Sequence, residues 1–129
     1  SEVIGTDISE AAKNFENSFV HDFHEEKKEW LNNFDFVYTN SLDQSYDPKK
    51  ALNTWLKQIK KDRYIVIEHS DQHAVRASNK MDPFGVEANF FPYLLTEWFG
   101  HQLSIQIIKS TKSNKNNAPV FFFILKKNY

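Results

Sequence analysis

The chain has 129 residues, 40% of them hydrophobic, with 12 Phe and only 3 Gly, which excludes a collagen-like or disordered chain and is typical of one packed domain. Its 16 basic and 17 acidic residues leave a formal net charge of −1, which argues against a nucleic-acid partner. Cysteine is absent, which excludes disulfides and favours a cytoplasmic protein. The longest apolar run, Val120–Leu125, is too short to cross a membrane, and no signal peptide is recognisable, so no membrane partner is expected.

Short apolar runs alternate with helix-like segments in the first half of the chain, the pattern of a mostly parallel sheet with helices on both faces. Strands are predicted at Val3–Thr6, Phe19–Asp22, Phe34–Thr39 and Tyr64–His69. Each is apolar for most of its length, which indicates burial on both faces. Helices are predicted at Ser9–Asn17, Glu25–Asn32 and Pro48–Ile59. Asp47 can cap the last of these helices, and Pro48 suits its first position.

The second half begins with a long polar loop, predicted at residues 70–89, of the kind that carries function or mobility. One helix and two strands follow it, predicted at Pro92–Phe99, Leu103–Ile108 and Val120–Leu125. Because only a polar turn separates the two strands, they are expected to form a hairpin. The lysines of this turn and of the tail, including Lys126 and Lys127, are expected to lie in solvent.

The order of these segments resembles that of a class I S-adenosylmethionine-dependent methyltransferase of the methyltransferase type 11-like kind. Residues 3–9, 19–23 and 34–48 look like the second, third and fourth strands of that family with the loops after them. The helix through Trp55, the next strand and the final hairpin continue the match. The resemblance implies one domain over residues 1–129 with a three-layer α/β/α fold. Its Rossmann-like methyltransferase sheet would be mostly parallel, with a C-terminal antiparallel hairpin.

The resemblance also implies a set of cofactor-binding residues. In the family, an acid at the end of the second strand accepts hydrogen bonds from the cofactor ribose, a role that falls here to Asp7, with Ile8 beside it. The acid after the third strand accepts the adenine amino group, which implies Asp22, and Phe23 would shield the base. The loop after the fourth strand borders the transferable methyl group, which implies Asn40, Ser41 and Leu42. The alternative for Asp7 is an ordinary capping residue of the following turn.

The sequence departs from the family at the glycine-rich loop. None of the three glycines, Gly5, Gly85 and Gly100, can rebuild that loop, and the first strand that precedes it is also missing. An N-terminally truncated methyltransferase sheet is therefore expected. The missing strand would lie between residues 3–6 and 34–39, so these two edges should pair with each other or with a second chain, as in a homo-oligomer.

Catalytic and metal-binding candidates are few. His69 and His73 follow a strand end and are weak candidates for a general base. His21 and His24 lie near two carboxylates, but in an extended segment they point to opposite faces, so no metal site is predicted.

Two functions are compatible with these features. The first is an S-adenosylmethionine-dependent methyltransferase acting on a small-molecule methyl acceptor. The second is a degenerate member of that family without catalysis, which serves as an oligomeric binding or scaffold module.

Overall fold

The computed structural model describes residues 2–129 and places them in two sheets with two α-helices. The strands are β1 (Gly5–Asp7), β2 (Ser18–Val20), β3 (Phe34–Thr39), β4 (Ile59–His69), β5 (Leu103–Lys109) and β6 (Phe121–Lys127). The helices are α1 (Pro48–Gln58) and α2 (Phe91–Phe99). Strands β1 and β2 form a parallel pair, and the larger sheet has the order β3-β4-β6-β5. Within residues 2–129 no helix combines the length and apolarity needed to span a membrane.

The larger sheet confirms the predicted α/β class with a Rossmann-like sheet and a C-terminal hairpin. Strand β3 is parallel to β4, whereas β6 is antiparallel to both β4 and β5. Strand β3 has the predicted bounds, and β4 begins at Ile59 instead of Tyr64, directly after α1. The parallel pairs place the carboxyl ends of β1 with β2, and of β3 with β4, at common sheet edges, where ligands of open α/β sheets bind.

Both α-helices start and stop as their local sequence predicts. The Asp47 carboxylate caps α1 by accepting a hydrogen bond from the Lys50 amide at 3.0 Å, and Pro48 occupies the first turn. Helix α2 ends at Gly100, whose φ of 51° is a left-handed conformation that favours glycine. The loop at residues 70–89 contains two short 3₁₀ turns and otherwise no regular structure.

Both helices cover the same face of the larger sheet. Their apolar side chains pack on the alternate residues of β4 and β6 that point to that face, including Ile65, Ile67, Phe123 and Leu125. On the opposite face Phe36 is 61% exposed and Tyr38 is 52% exposed. Residues 2–129 therefore supply two of the three layers of the expected sandwich. The prediction that every strand is buried on both faces is wrong, because nothing within the described chain covers that second face.

The two short helices predicted near the N-terminus, Ser9–Asn17 and Glu25–Asn32, are present only as shorter 3₁₀ helices. They span Glu10–Asn14, with Ser9 as the predicted N-cap, and Lys28–Trp30. Each turn buries one residue only, so it lacks the apolar stripe whose packing stabilises a longer helix.

Strands β1 and β3 do not pair with each other, so the predicted closure of the sheet across the missing strand is wrong. The two sheets are connected through aromatic side chains instead. The Trp30 ring lies 5.8 Å from that of Phe19 and 6.2 Å from that of Phe34. The outer edges of β1 and β3 have no partner strand among residues 2–129. Pairing of these edges with a second chain stays a prediction.

Lys127 is not in solvent, as the lysine-rich tail suggested, but is buried. Its Nζ donates to the Ile59 carbonyl at 2.9 Å and to Asn32 Oδ1 at 3.2 Å. Burial lowers the pKa of this amine. The alternation of β6 decides this position, because Lys127 follows Phe123 and Leu125 on the face that the helices cover.

Candidate functional site

The carboxyl ends of β1 and β2 hold the first pair of predicted ligand-binding residues. The Asp7 carbonyl accepts a hydrogen bond from the His21 amide at 2.8 Å, so Asp7 lies beside the start of the segment that carries Asp22. The Asp7 side chain is exposed, and its Oδ1 accepts from the Ser9 amide at 2.8 Å. Asp7 thus caps the turn that follows β1 through Oδ1, and Oδ2 takes no part in that hydrogen bond. The neighbouring Ile8 is exposed. The ribose role of Asp7 and the contact by Ile8 stay predictions.

Asp22 is the more exposed end of a hydrogen-bond chain that runs inward through the buried His24 to the buried Ser45. Its Oδ1 accepts from the amide of His24 at 2.9 Å and from Nδ1 of His24 at 2.7 Å, and His24 Nε2 lies 2.6 Å from Ser45 Oγ. The hydrogen bond from the His24 amide, joined by the imidazole, holds the pKa of Asp22 below its usual value. The Asp22 carboxylate is therefore an ionised acceptor at neutral pH. Both ring nitrogens of His24 have protein partners, which gives this residue a structural role.

Helix α1 fixes the backbone around Phe23 and His24. Trp55 Nε1 donates to the Phe23 carbonyl at 3.1 Å, and Thr54 Oγ1 donates to the His24 carbonyl at 3.0 Å. The Phe23 ring packs edge-on against Trp55, with centroids 5.3 Å apart. Because these bonds come from a regular helix, the segment after β2 is held rigidly although it has no secondary structure of its own.

The segment after β3 carries the second group of predicted residues. Asn40 is exposed and Ser41 is half-buried, whereas Leu42 is buried in the core, so the predicted contact of its side chain with a ligand at the surface is not seen. His73 Nε2 donates to the Asn40 carbonyl at 2.9 Å, and His73 Nδ1 accepts from the Ser70 amide at 2.9 Å. These bonds fix one tautomer of His73 and occupy both of its ring nitrogens. His73 therefore positions the loop after β3.

His69, at the carboxyl end of β4, is enclosed. Its side chain is 4% exposed, and its ring lies 5.3 Å from that of His73 and 5.8 Å from that of Phe91. Burial, with a smaller effect from His73, lowers the pKa of His69 to about 4. The imidazole is therefore neutral at pH 7.

Asp43 is a candidate that the sequence did not reveal. Its side chain is 14% exposed, and Oδ1 lies 4.0 Å from His73 Nε2, beyond hydrogen-bond distance. Burial raises the pKa of this carboxyl, nearby Asp82 adds to the rise, and His73 opposes it. The Phe84 amide donates to the Asp43 carbonyl at 3.0 Å, which fastens the 70–89 loop over this residue. In sequence, only its place shortly after a strand end distinguishes Asp43 from its polar neighbours.

An open polar pocket of about 500 Å³ lies across the carboxyl ends of β3 and β4. Its lining includes Asn40, Ser41, Asp43, Ser70, His73 and Asn114. The structure thus brings together the predicted loop after β3 and the predicted base His73, while Asp7 and Asp22 lie outside this lining. The volume falls within the range of pockets that bind small molecules, roughly 300–1,000 Å³.

No protein-family model matches the chain, and no curated protein matches it either. Among solved structures, it is similar to the plantazolicin methyltransferase BpumL in complex with S-adenosylhomocysteine, with a TM-score of 0.72 and 13% identity over 100% of this chain and 68% of that one. The chain is also similar to a possible histamine N-methyltransferase from Thermotoga maritima. The TM-score is 0.68 and the identity 16%, and the match covers 98% of this chain and 72% of that one. For the N-methyltransferase NodS from Bradyrhizobium japonicum WM9 the TM-score is 0.63 and the identity 9%. This match covers 96% of this chain and 72% of that one. The chain spans 68–72% of these three structures and has the fold of S-adenosylmethionine-dependent methyltransferases.

Proposed function

We propose that this chain takes part in S-adenosylmethionine-dependent methyl transfer to a small polar acceptor. The observation that carries the proposal is the row of hydrogen-bonding groups, from Asp7 to His73, along the carboxyl ends of β1 to β4 in a methyltransferase fold. Ligands of open α/β sheets bind at these ends. A cytoplasmic location, expected from the absence of cysteine, stays a prediction.

The acidic groups suit the adenosine half of the cofactor. Asp7 presents an exposed carboxylate in which only Oδ1 bonds to the turn, so Oδ2 is an acceptor for a ribose hydroxyl. Asp22 uses Oδ1 for His24, and its ionised second oxygen suits an exocyclic amino group. We assign the base to the surface beside Phe23, whose backbone α1 holds in place.

Residues 2–129 contain no glycine-rich loop that could hold the methionine half of the cofactor. A Cβ at Gly85 would lie 2.7 Å from the Ala74 carbonyl oxygen, so that glycine serves close packing of the 70–89 loop. Gly5 faces the Ser18 side chain, and Gly100 ends α2. In this proposal Asn40 and Ser41, which line the polar pocket, lie nearest the methionine end, and the buried Leu42 supports them from the core. The cofactor, when bound, supplies an electrophilic methyl group.

The polar pocket is the proposed acceptor site, and its task is to orient a small molecule and exclude water from it. Asp43 is a better candidate than either histidine for receiving a proton from that molecule. Both ring nitrogens of His73 are already bonded, and His69 is enclosed, whereas Asp43 borders the pocket with a raised pKa.

Calorimetric titration with S-adenosylhomocysteine tests the cofactor half of this proposal. We expect saturable binding that Asp7→Asn weakens at least about tenfold, because a hydrogen bond to a charged group contributes about 1.5–3 kcal/mol. Glu16→Gln is the matched control, since Glu16 is an exposed acid in the same region. Absence of binding at millimolar ligand, or equal weakening by both substitutions, would contradict the proposal.

A second candidate function, an oligomeric binding or scaffold module, is favoured by the uncovered sheet face. Phe36 and Tyr38 on the edge strand β3 are more than half exposed, and Tyr64 of β4 extends the same surface. The occupant we propose is a second copy, paired antiparallel through β3. A two-fold axis at Val37 would set Phe36 of each copy opposite Tyr38 of the other, a favourable cross-strand aromatic pair.

Sedimentation velocity distinguishes this candidate. We expect a dimer at micromolar concentration that Phe36→Ser dissociates, while Tyr93→Ser, at an aromatic residue of α2 that is more exposed still, leaves it intact. A monomer at all concentrations, or a dimer that both substitutions leave unchanged, would rule out pairing through β3.

A further inference from the structure

A small void adjoins the polar pocket, with which it shares Asp43, Glu68 and His73, and it is lined by β4, the turn after β3 and α2. Its lining includes Asp43, Ile67, His69 and Phe91, and its volume is about 10 Å³. This volume is close to one water-sized sphere, the smallest space that can hold a single water molecule, about 10–15 Å³.

Two of the residues that line this void each have a polar side-chain atom without a partner. Asp43 Oδ1 and His69 Nε2 are both buried, and neither has a hydrogen bond within residues 2–129. Leaving a buried polar atom unpaired costs about 1–3 kcal/mol, and native proteins satisfy the great majority of such atoms. Since both residues line the same void, one shared partner would satisfy both atoms.

We propose that this void binds one ordered water molecule that bridges Asp43 Oδ1 and His69 Nε2. Water can donate as well as accept, so it serves Nε2 in either tautomer of the neutral His69 ring. A metal ion needs more protein ligands than these two atoms provide.

The bridge joins Asp43, the water and His69 into one hydrogen-bonded unit at the back wall of the polar pocket. The other ionisable groups that face Asp43 are Glu68 of β4, His73 of the following turn and Asp82 of the 70–89 loop. A water that donates to the ionised carboxylate stabilises it and so limits how far burial raises the pKa of Asp43. This inference does not depend on methyl transfer.

The test is a ¹³C NMR titration of the Asp43 carboxyl in the unmodified chain, in His69→Gln and in His69→Phe. Gln keeps a polar group near the position of Nε2 and can retain the water, whereas Phe has a similar volume and offers no partner. We expect the pKa of Asp43 to rise further in His69→Phe and to stay close to its original value in His69→Gln. Equal shifts in both variants, or no shift in either, would overturn the bridge.

A crystal structure of the unmodified chain at a resolution that shows ordered water gives a second test, which does not require either variant to fold. We expect one density peak in the void within hydrogen-bond distance of Asp43 Oδ1 and His69 Nε2. A dry void, or a water bonded to only one of the two atoms, would overturn the proposal.

Discussion

The larger sheet and the two-stranded sheet show how little the apolar content of a strand says about its burial. Phe123 of β6 is fully buried, whereas Phe19 of β2 is 40% exposed, and all three residues of β1 are exposed. The larger sheet has α1 and α2 packed on one face, while the smaller one, among residues 2–129, has only the two short 3₁₀ segments, Glu10–Asn14 and Lys28–Trp30, beside it. Burial therefore depends on the layer that covers a strand, and the two regions should differ in stability accordingly.

The largest expected difference concerns one phenylalanine from each sheet. Phe123→Ala should lower the free energy of unfolding by about 3–5 kcal/mol, because it leaves a cavity against Phe91, whose ring centroid is 4.9 Å away. Phe19→Ala should cost about 1 kcal/mol, because solvent can fill the space beside Trp30. Urea unfolding measures both values. Equal losses would show that the two sheets form one core.

The next effect concerns pH and the enclosed His69. Its pKa is lowered to about 4 from the ordinary 6.5, so the unfolded chain binds the proton more tightly than the folded chain does. The stabilisation is fully present above pH 6.5 and is lost as the pH falls towards 4, by about 3 kcal/mol. Unfolding measured across this range should show the loss, and His69→Gln should reduce it. An unchanged pH profile in His69→Gln would show that other groups cause the loss.

The smallest expected effects come from two turn-capping residues. Asp47→Ala should destabilise the chain by about 1 kcal/mol, since the Asp47 carboxylate caps an 11-residue helix packed on the core. Ser9→Ala removes a 3.2 Å bond from the Ala11 amide at the start of an exposed 3₁₀ helix, and we expect it to destabilise the chain by about 0.5 kcal/mol, the low end for such a cap. Thermal unfolding of both variants compares the two regions once more. A larger loss for Ser9→Ala would reverse the ranking of the two regions.

The sequence was a good guide wherever local chemistry decides the structure. Asp47 and Pro48 located the start of α1, Gly100 located the end of α2, and the polar turn before β6 predicted the hairpin. In the candidate site, the sequence pointed to Asn40 and His73, which lie together at the pocket. These features depend on capping, on φ restrictions and on the rule that loops after parallel strands meet at one edge.

Tertiary contacts decided the rest. The sequence alone could not separate Asp43 from its polar neighbours, because its burial depends on Phe84 and His73, which lie about thirty to forty residues further along the chain. It placed Lys127 in solvent, although the alternation of β6 directs its amine to the Ile59 carbonyl. Composition, caps and turn residues thus determined the elements, because those depend on neighbours in sequence. Which faces, edges and carboxylates are shielded from water depends on distant segments, so only the tertiary structure could decide it.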